Sequence, residues 1–90
     1  MTPGAYLRQC REAAGLSIQD VALRTETKPA VSARSREDII RALEEDVARL
    51  TVIDAAALQP IYGFDWQEMA RTDAPAAQVE RHGIALRRVA

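Results

Sequence analysis

The residues best suited to chemistry lie between positions 24 and 41. Arg24, Lys28, Arg34, Arg36 and Arg41 stand there against Glu26, Glu37 and Asp38, a net charge of +2 in a chain whose total is −1. Ser32 and Ser35 are interleaved with the arginines. An arginine bonds guanine edges or phosphates with its planar fork, and a serine hydroxyl bonds other base edges, so this mixture suits double-stranded DNA. At the start of a helix, Ser32, Arg34, Ser35 and Arg36 would face bases. Arg24 and Lys28, on the approach to that helix, would contact phosphates and give affinity without sequence information, and Arg41, one to two turns deeper, would touch the backbone. The bland alternative is a solvated basic loop beside an acidic helix. Glu37 and Asp38 fit that alternative, although carboxylates near a helix start also favour the helix.

Charge is divided unevenly along the chain. Residues 1 to 23 balance at zero, residues 42 to 73 carry a net of −5, and the last seventeen return to +2. Such asymmetry is informative about partners where the total is not.

Catalytic chemistry finds little to work with. His82 is the only histidine and Cys10 the only cysteine. A Ser-His-Asp or Cys-His device is therefore not suggested, and neither a disulfide nor a multi-cysteine zinc site can form within the chain. Cys10 lies on an apolar helical face and reads as core packing. The acidic run Glu44 to Asp46 is spread around a helix and reads as a solvated end rather than a cation site. No enzyme activity, cofactor or metal is expected. A lone cysteine suits a reducing cytosol, no targeting segment opposes this, and no apolar run approaches the ~20 residues of a membrane span.

The elements that must position these residues are helical by pattern. With 48% hydrophobic residues but one tryptophan, one phenylalanine and two tyrosines, the core must come from Ala, Leu, Ile and Val. That favours an all-α bundle of about five short helices. Thr2 and Pro3 start the first helix, Leu7, Cys10 and Ala14 fall at helical spacing, and Gly15 stops it. Ser17 with Asp20 starts a second helix, with Ile18, Val21 and Ala22 as its apolar stripe. The stretch Thr25 to Arg34 is predicted as a loop, with a turn of helix after Pro29 as an option. Ser35 with Asp38 then opens a third helix, from about Arg36 to Asp46. Thr51 with Asp54 opens a fourth, which Pro60 should end early or kink. Asp65 with Glu68 opens a short fifth that offers Trp66, Met69 and Ala70 to the core. Tyr62, Phe64 and Trp66 read as core, with a subunit interface as the sharper alternative. Residues 1–72 thus form the domain and 73–90 a tail. The tail is open between a weak helix interrupted by Gly83, a short strand through Ile84 and Leu86, and a frayed end. Its Val79, Ile84, Leu86 and Val89 could pair with a second chain, and Arg81, Arg87 and Arg88 could add phosphate contacts.

The stretch LRQCREAAGLSIQDVA, from Leu7 to Ala22, resembles the opening of the lambda-repressor-like, XRE-type helix-turn-helix proteins of bacteria and their phages. IRALEED followed by TVIDAAAL resembles that family's recognition-helix end and next helix, so the resemblance covers roughly Leu7 to Met69. It implies a salt bridge, buried or half-buried, between Arg11 on the first helix and Glu44 at the end of the third. Ile18 departs from the polar residue, often Gln, that reaches DNA in the family. Asp46 stands where glycine is typical. The span from Ala22 to Glu44 is about eight residues longer than the family spacing, so the tight turn before the recognition helix is replaced by Thr25 to Ser35.

The resulting expectation is a cytoplasmic DNA-binding regulator of transcription, acting as a homodimer or with a second regulatory protein, away from membranes. The alternative is a helix-turn-helix derivative that docks on a partner protein through the acidic 42–73 face or the aromatic cluster.

Overall fold

The computed structural model describes residues 1–75, 77–79 and 84–89. Five helices and two strands follow in the order α1 (Pro3–Ala13), α2 (Ile18–Leu23), β1 (Thr25–Lys28), α3 (Ala33–Glu44), α4 (Val52–Tyr62), α5 (Trp66–Ala70) and β2 (Ala85–Arg88). The chain is therefore not all-α. β1 and β2 pair antiparallel, with Thr25 opposite Arg88 and Lys28 opposite Ala85. The stretch predicted as a loop holds a strand because Thr25 and Thr27 are β-branched, alternate with Glu26 and Lys28, and turn their side chains into the core. The partner strand lies some sixty residues downstream, so no local periodicity announces the pair.

Leu7 of α1, Val21 and Ala22 of α2, Ile40 and Leu43 of α3, Leu58 and Tyr62 of α4, Phe64 and Leu86 make one core. Each large aliphatic among them contributes about 1.5–3 kcal/mol by leaving water. α3 packs chiefly on α2 and α1, while β2 lies on α4. Leu86 is 1% exposed, so the end of the chain closes the same core that the front begins. Residues 77–79 are tied down as well, because Val79 donates to the carbonyl of Val47 and accepts from the amide of Arg49, both at 2.9 Å. Arg81, His82 and Gly83 lie outside the described residues.

Three helices differ from expectation. α3 starts earlier, with Ser32 rather than Ser35 as its cap: the Ser32 hydroxyl accepts from the amide of Ser35. α4 runs through Pro60 to Tyr62 and ends at Gly63, whose φ of 67° is the left-handed conformation that glycine tolerates. Pro60 leaves the carbonyl of Ala56 without its helical donor, and Ala56 is exposed, so water can serve it. α5 buries none of its residues: Trp66 is 48% exposed, Ala70 is exposed and Met69 is half-buried. Phe64 takes the core position instead, with Trp66 edge-on to its ring.

The exit from α3 is built by Asp46. It adopts φ 60°, which a short polar side chain tolerates better than a bulky one. Its carboxylate then accepts from the Thr2 hydroxyl and, at 2.9 Å, from the Gly4 amide, capping α1 from across the fold. Gly4 is needed there. A Cβ at this position would lie 2.5 Å from the carbonyl oxygens of both Leu43 and Glu44. The positive end of α1 thereby abuts the negative end of α3.

Candidate nucleic-acid interface

α2 is launched by a reciprocal cap in which Ser17 accepts from the Asp20 amide and Asp20 accepts from the Ser17 amide. Hydrogen bonding to its carboxylate from the backbone amide of Ser17, then from the Ser17 side chain, holds the Asp20 carboxyl below its ordinary range. α2 ends at Arg24, and β1 carries the chain to Lys28, whose peptide bond to Pro29 is cis. The connection to α3 is then fastened by the Thr27 hydroxyl, which accepts from the amide of Val31 at 3.0 Å.

The seven residues expected to meet DNA fall into two groups. Arg24, Lys28, Ser32, Arg34 and Ser35 are exposed, strung from the end of α2 through β1 to the first turn of α3. Among the described residues, Arg24, Lys28 and Arg34 form no ion pair, whereas Arg8, Arg71 and Arg87 pair with Glu12, Glu68 and Glu26. Arg36 and Arg41 are engaged within the protein. Nε of Arg36 donates to the Ala22 carbonyl at 3.0 Å and its Nη1 to the Val31 carbonyl at 2.8 Å. It is half-buried and ties α3 to the end of α2 and to the intervening loop. Arg41 pairs with Asp38 at 3.1 Å on the exposed face of α3, where Arg34, Glu37, Asp38 and Arg41 line a shallow groove of mixed charge. The cationic surface is accordingly the approach and first turn of α3 rather than its whole outer face.

Arg11 and Glu44 meet between α1 and α3. Nε of Arg11 donates to both carboxylate oxygens, at 2.8 and 3.0 Å, and its Nη1 donates to the Leu16 carbonyl at 2.9 Å. Their side chains are 12% and 3% exposed. The Tyr62 hydroxyl adds a second donor to Glu44 at 2.6 Å, joining α4 to the pair. Sequence reasoning placed Tyr62 in the core and missed this role, which only the fold reveals. The bond it donates to Glu44 raises the Arg11 guanidinium above its ordinary value against the opposing effect of burial. Burial, then the bond to Glu44, pushes the Tyr62 hydroxyl far upward.

Two further residues shape this surface, Asp54 and Arg88, the latter among the tail arginines expected to add phosphate contacts. The carboxylate of Asp54, read only as a helix-start residue, is buried and accepts from the Leu86 amide at 3.3 Å, fixing β2 on α4. Arg88 on β2 is exposed and, among the described residues, unpaired. No group of three or more metal-ligating side chains occurs among the described residues, and no helix there is long and apolar enough to cross a membrane. Comparison with protein-family models, curated proteins and solved structures gives no match.

Proposed function

We propose that this chain is a double-stranded-DNA-binding regulator of transcription of the lambda-repressor-like, XRE type, with an enlarged connection before its recognition helix. One observation carries the reading: the exposed start of α3, with Ser32, Arg34 and Ser35, follows the unpaired cations Arg24, at the end of α2, and Lys28, on β1. Helix N-terminal amides and unpaired cations both attract phosphates, and a helix start is the part of a reader that enters the major groove. Arg36 supports the same reading from within, because its two bonds hold the α2–α3 connection in one shape although the tight turn is gone. In this arrangement Arg34 and Ser35 read base edges, and Arg24 and Lys28 grip the backbone. Arg36 acts as a positioning residue.

A single reader of this size has few phosphate contacts, so a homodimer or a second regulatory protein supplies the rest of the affinity. The lone Cys10 suits a reducing cytosol. A second reading, an interaction module acting through a partner protein, is favoured by the exposure of Trp66, Val52 and Ile53.

The test is a gel-shift selection from fragments of the source genome, using the full chain and an Arg34→Ala/Lys28→Ala variant. Enrichment of a discrete site by the wild type, lost in the variant while its thermal melt is unchanged, is the expected outcome. Failure to retain any fragment at low salt contradicts the proposal.

A further inference from the structure

The surface beside β1 holds a groove whose apolar floor the DNA reading does not use. Leu23 at the end of α2, Pro60 and Ile61 on α4, and Val89 beyond β2 line it, with Arg24 and Arg88 on its borders, around a volume of about 310 Å³. Leu23 is 62% exposed and Val89 45%. The groove walls are held in register, since the Val89 amide donates to the Arg24 carbonyl at 3.0 Å. From Pro60 the apolar surface runs back along α4 through Ala56 to Ile53, which is 65% exposed. These residues sit three to four apart and share one helix face. α4 is thus apolar on the face turned outward as well as on the face turned to the core. A helix of that character normally has a partner on both sides.

We infer that this groove and the α4 stripe dock an acidic amphipathic helix of a partner protein, its apolar residues on Leu23, Ile61 and Pro60 and its carboxylates on Arg24 and Arg88. Both arginines lack an ion-pair partner among the described residues, and they come together from separate elements, since Arg88 lies opposite Thr25 and Val89 bonds to Arg24, so they select an occupant with a negative flank. A second copy using the same groove is disfavoured by the same charges, because a two-fold contact brings the arginines of both copies together. The helical form of the occupant follows from the stripe on α4, which offers side-chain-sized contacts along a helix axis rather than a free strand edge.

The experiment uses the full chain, isotope-labelled, without DNA. It is titrated with a helical peptide bearing leucines at i and i+4 flanked by glutamates, and separately with the same peptide carrying lysines. The glutamate peptide should shift the amides of Leu23, Ile61 and Val89, and Arg24→Glu/Arg88→Glu should weaken it by at least about tenfold while accepting the lysine peptide. Leu23→Glu, at an exposed position, serves as a second variant should the double reversal disturb β2, and it should weaken the glutamate peptide as well. The inference is overturned if neither peptide shifts these amides or if both bind equally. It is overturned in favour of a second copy if the amides move with protein concentration alone. Peptide binding by a chain that fails the genomic selection would remove the DNA proposal and leave this one standing.

Discussion

Arg36 reaches from the first turns of α3 to the carbonyl oxygen of Ala22, 3.0 Å from its Nε, at the end of α2. That carbonyl belongs to a buried residue, and Val31 supplies the second acceptor. Arg36→Ala would remove two bonds from a charged donor, at about 1.5–3 kcal/mol, while the Ala22 carbonyl keeps the Thr25 hydroxyl at 3.2 Å. Arg36→Lys should recover only part of this, because a point charge cannot serve two carbonyls with the geometry of a planar fork. Arg34→Ala, two residues away and exposed, should leave the denaturation midpoint within about 0.5 kcal/mol of wild type. Urea unfolding of the three variants checks the division between a positioning arginine and a reading one.

The Arg11, Glu44 and Tyr62 cluster makes a prediction with a defined pH sign. Replacing Glu44 by Ala strands a half-buried guanidinium and should destabilise by about 3–5 kcal/mol, more than the paired change Arg11→Met/Glu44→Leu. Tyr62→Phe removes one bond to a charged acceptor, about 1.5–3 kcal/mol. Because the folded Tyr62 hydroxyl titrates well above the unfolded one, its contribution is complete below the ordinary tyrosine value near 10 and is lost as pH rises beyond it. Melting temperature should therefore fall more steeply above about pH 10 in the wild type than in Tyr62→Phe.

Gly4→Ala should destabilise by about 1–3 kcal/mol, since the added methyl meets two carbonyl oxygens of α3 rather than a movable side chain. Asp46→Gly would relieve the left-handed backbone but remove the cap of α1, whereas Asp46→Asn retains an acceptor for the Gly4 amide. Thermal melts should rank Asp46→Asn above Asp46→Gly if the cap outweighs the strain.

Much of the helical frame was legible because its signals are local. Thr2, Ser17, Thr51 and Asp65 cap the helices they were expected to cap, and Gly15 and Gly63 carry positive φ. The errors arose where a distant contact decides. β1 looked like a loop because the strand that pairs with it lies past residue 84, and a four-residue alternation alone is too short to compete with Pro29 and scattered Ser and Thr. Ser32 and Ser35 are equally good caps by type, and the tie is broken by where Arg36 must sit to reach Ala22. Exposure of the cations was likewise unreadable. Arg34 and Arg36 are alike in sequence, yet one faces water and the other two backbone carbonyls.

Dependence of the proposed DNA surface on the end of the chain follows from Leu86. Leu86→Ala empties a position in the core between β1 and α4 and should cost about 2–5 kcal/mol. In the DNA reading it should also weaken binding below the melting transition, because β1 and the approach to α3 lose their partner strand. Affinity measured well below the midpoint of unfolding separates this effect from loss of folded protein.

The account rests most directly on the salt dependence of duplex affinity. Fluorescence anisotropy of a labelled duplex carrying the selected site, followed across a series of salt concentrations, gives the slope of log affinity against log salt. That slope should be about −0.9 for each phosphate neutralised. Lys28→Ala, which removes a proposed phosphate contact, should reduce its magnitude by about 1, and Arg34→Ala should chiefly relax the preference for the site over unrelated duplex. Affinity that does not fall with salt, and that both variants leave unchanged, would contradict DNA recognition by this surface.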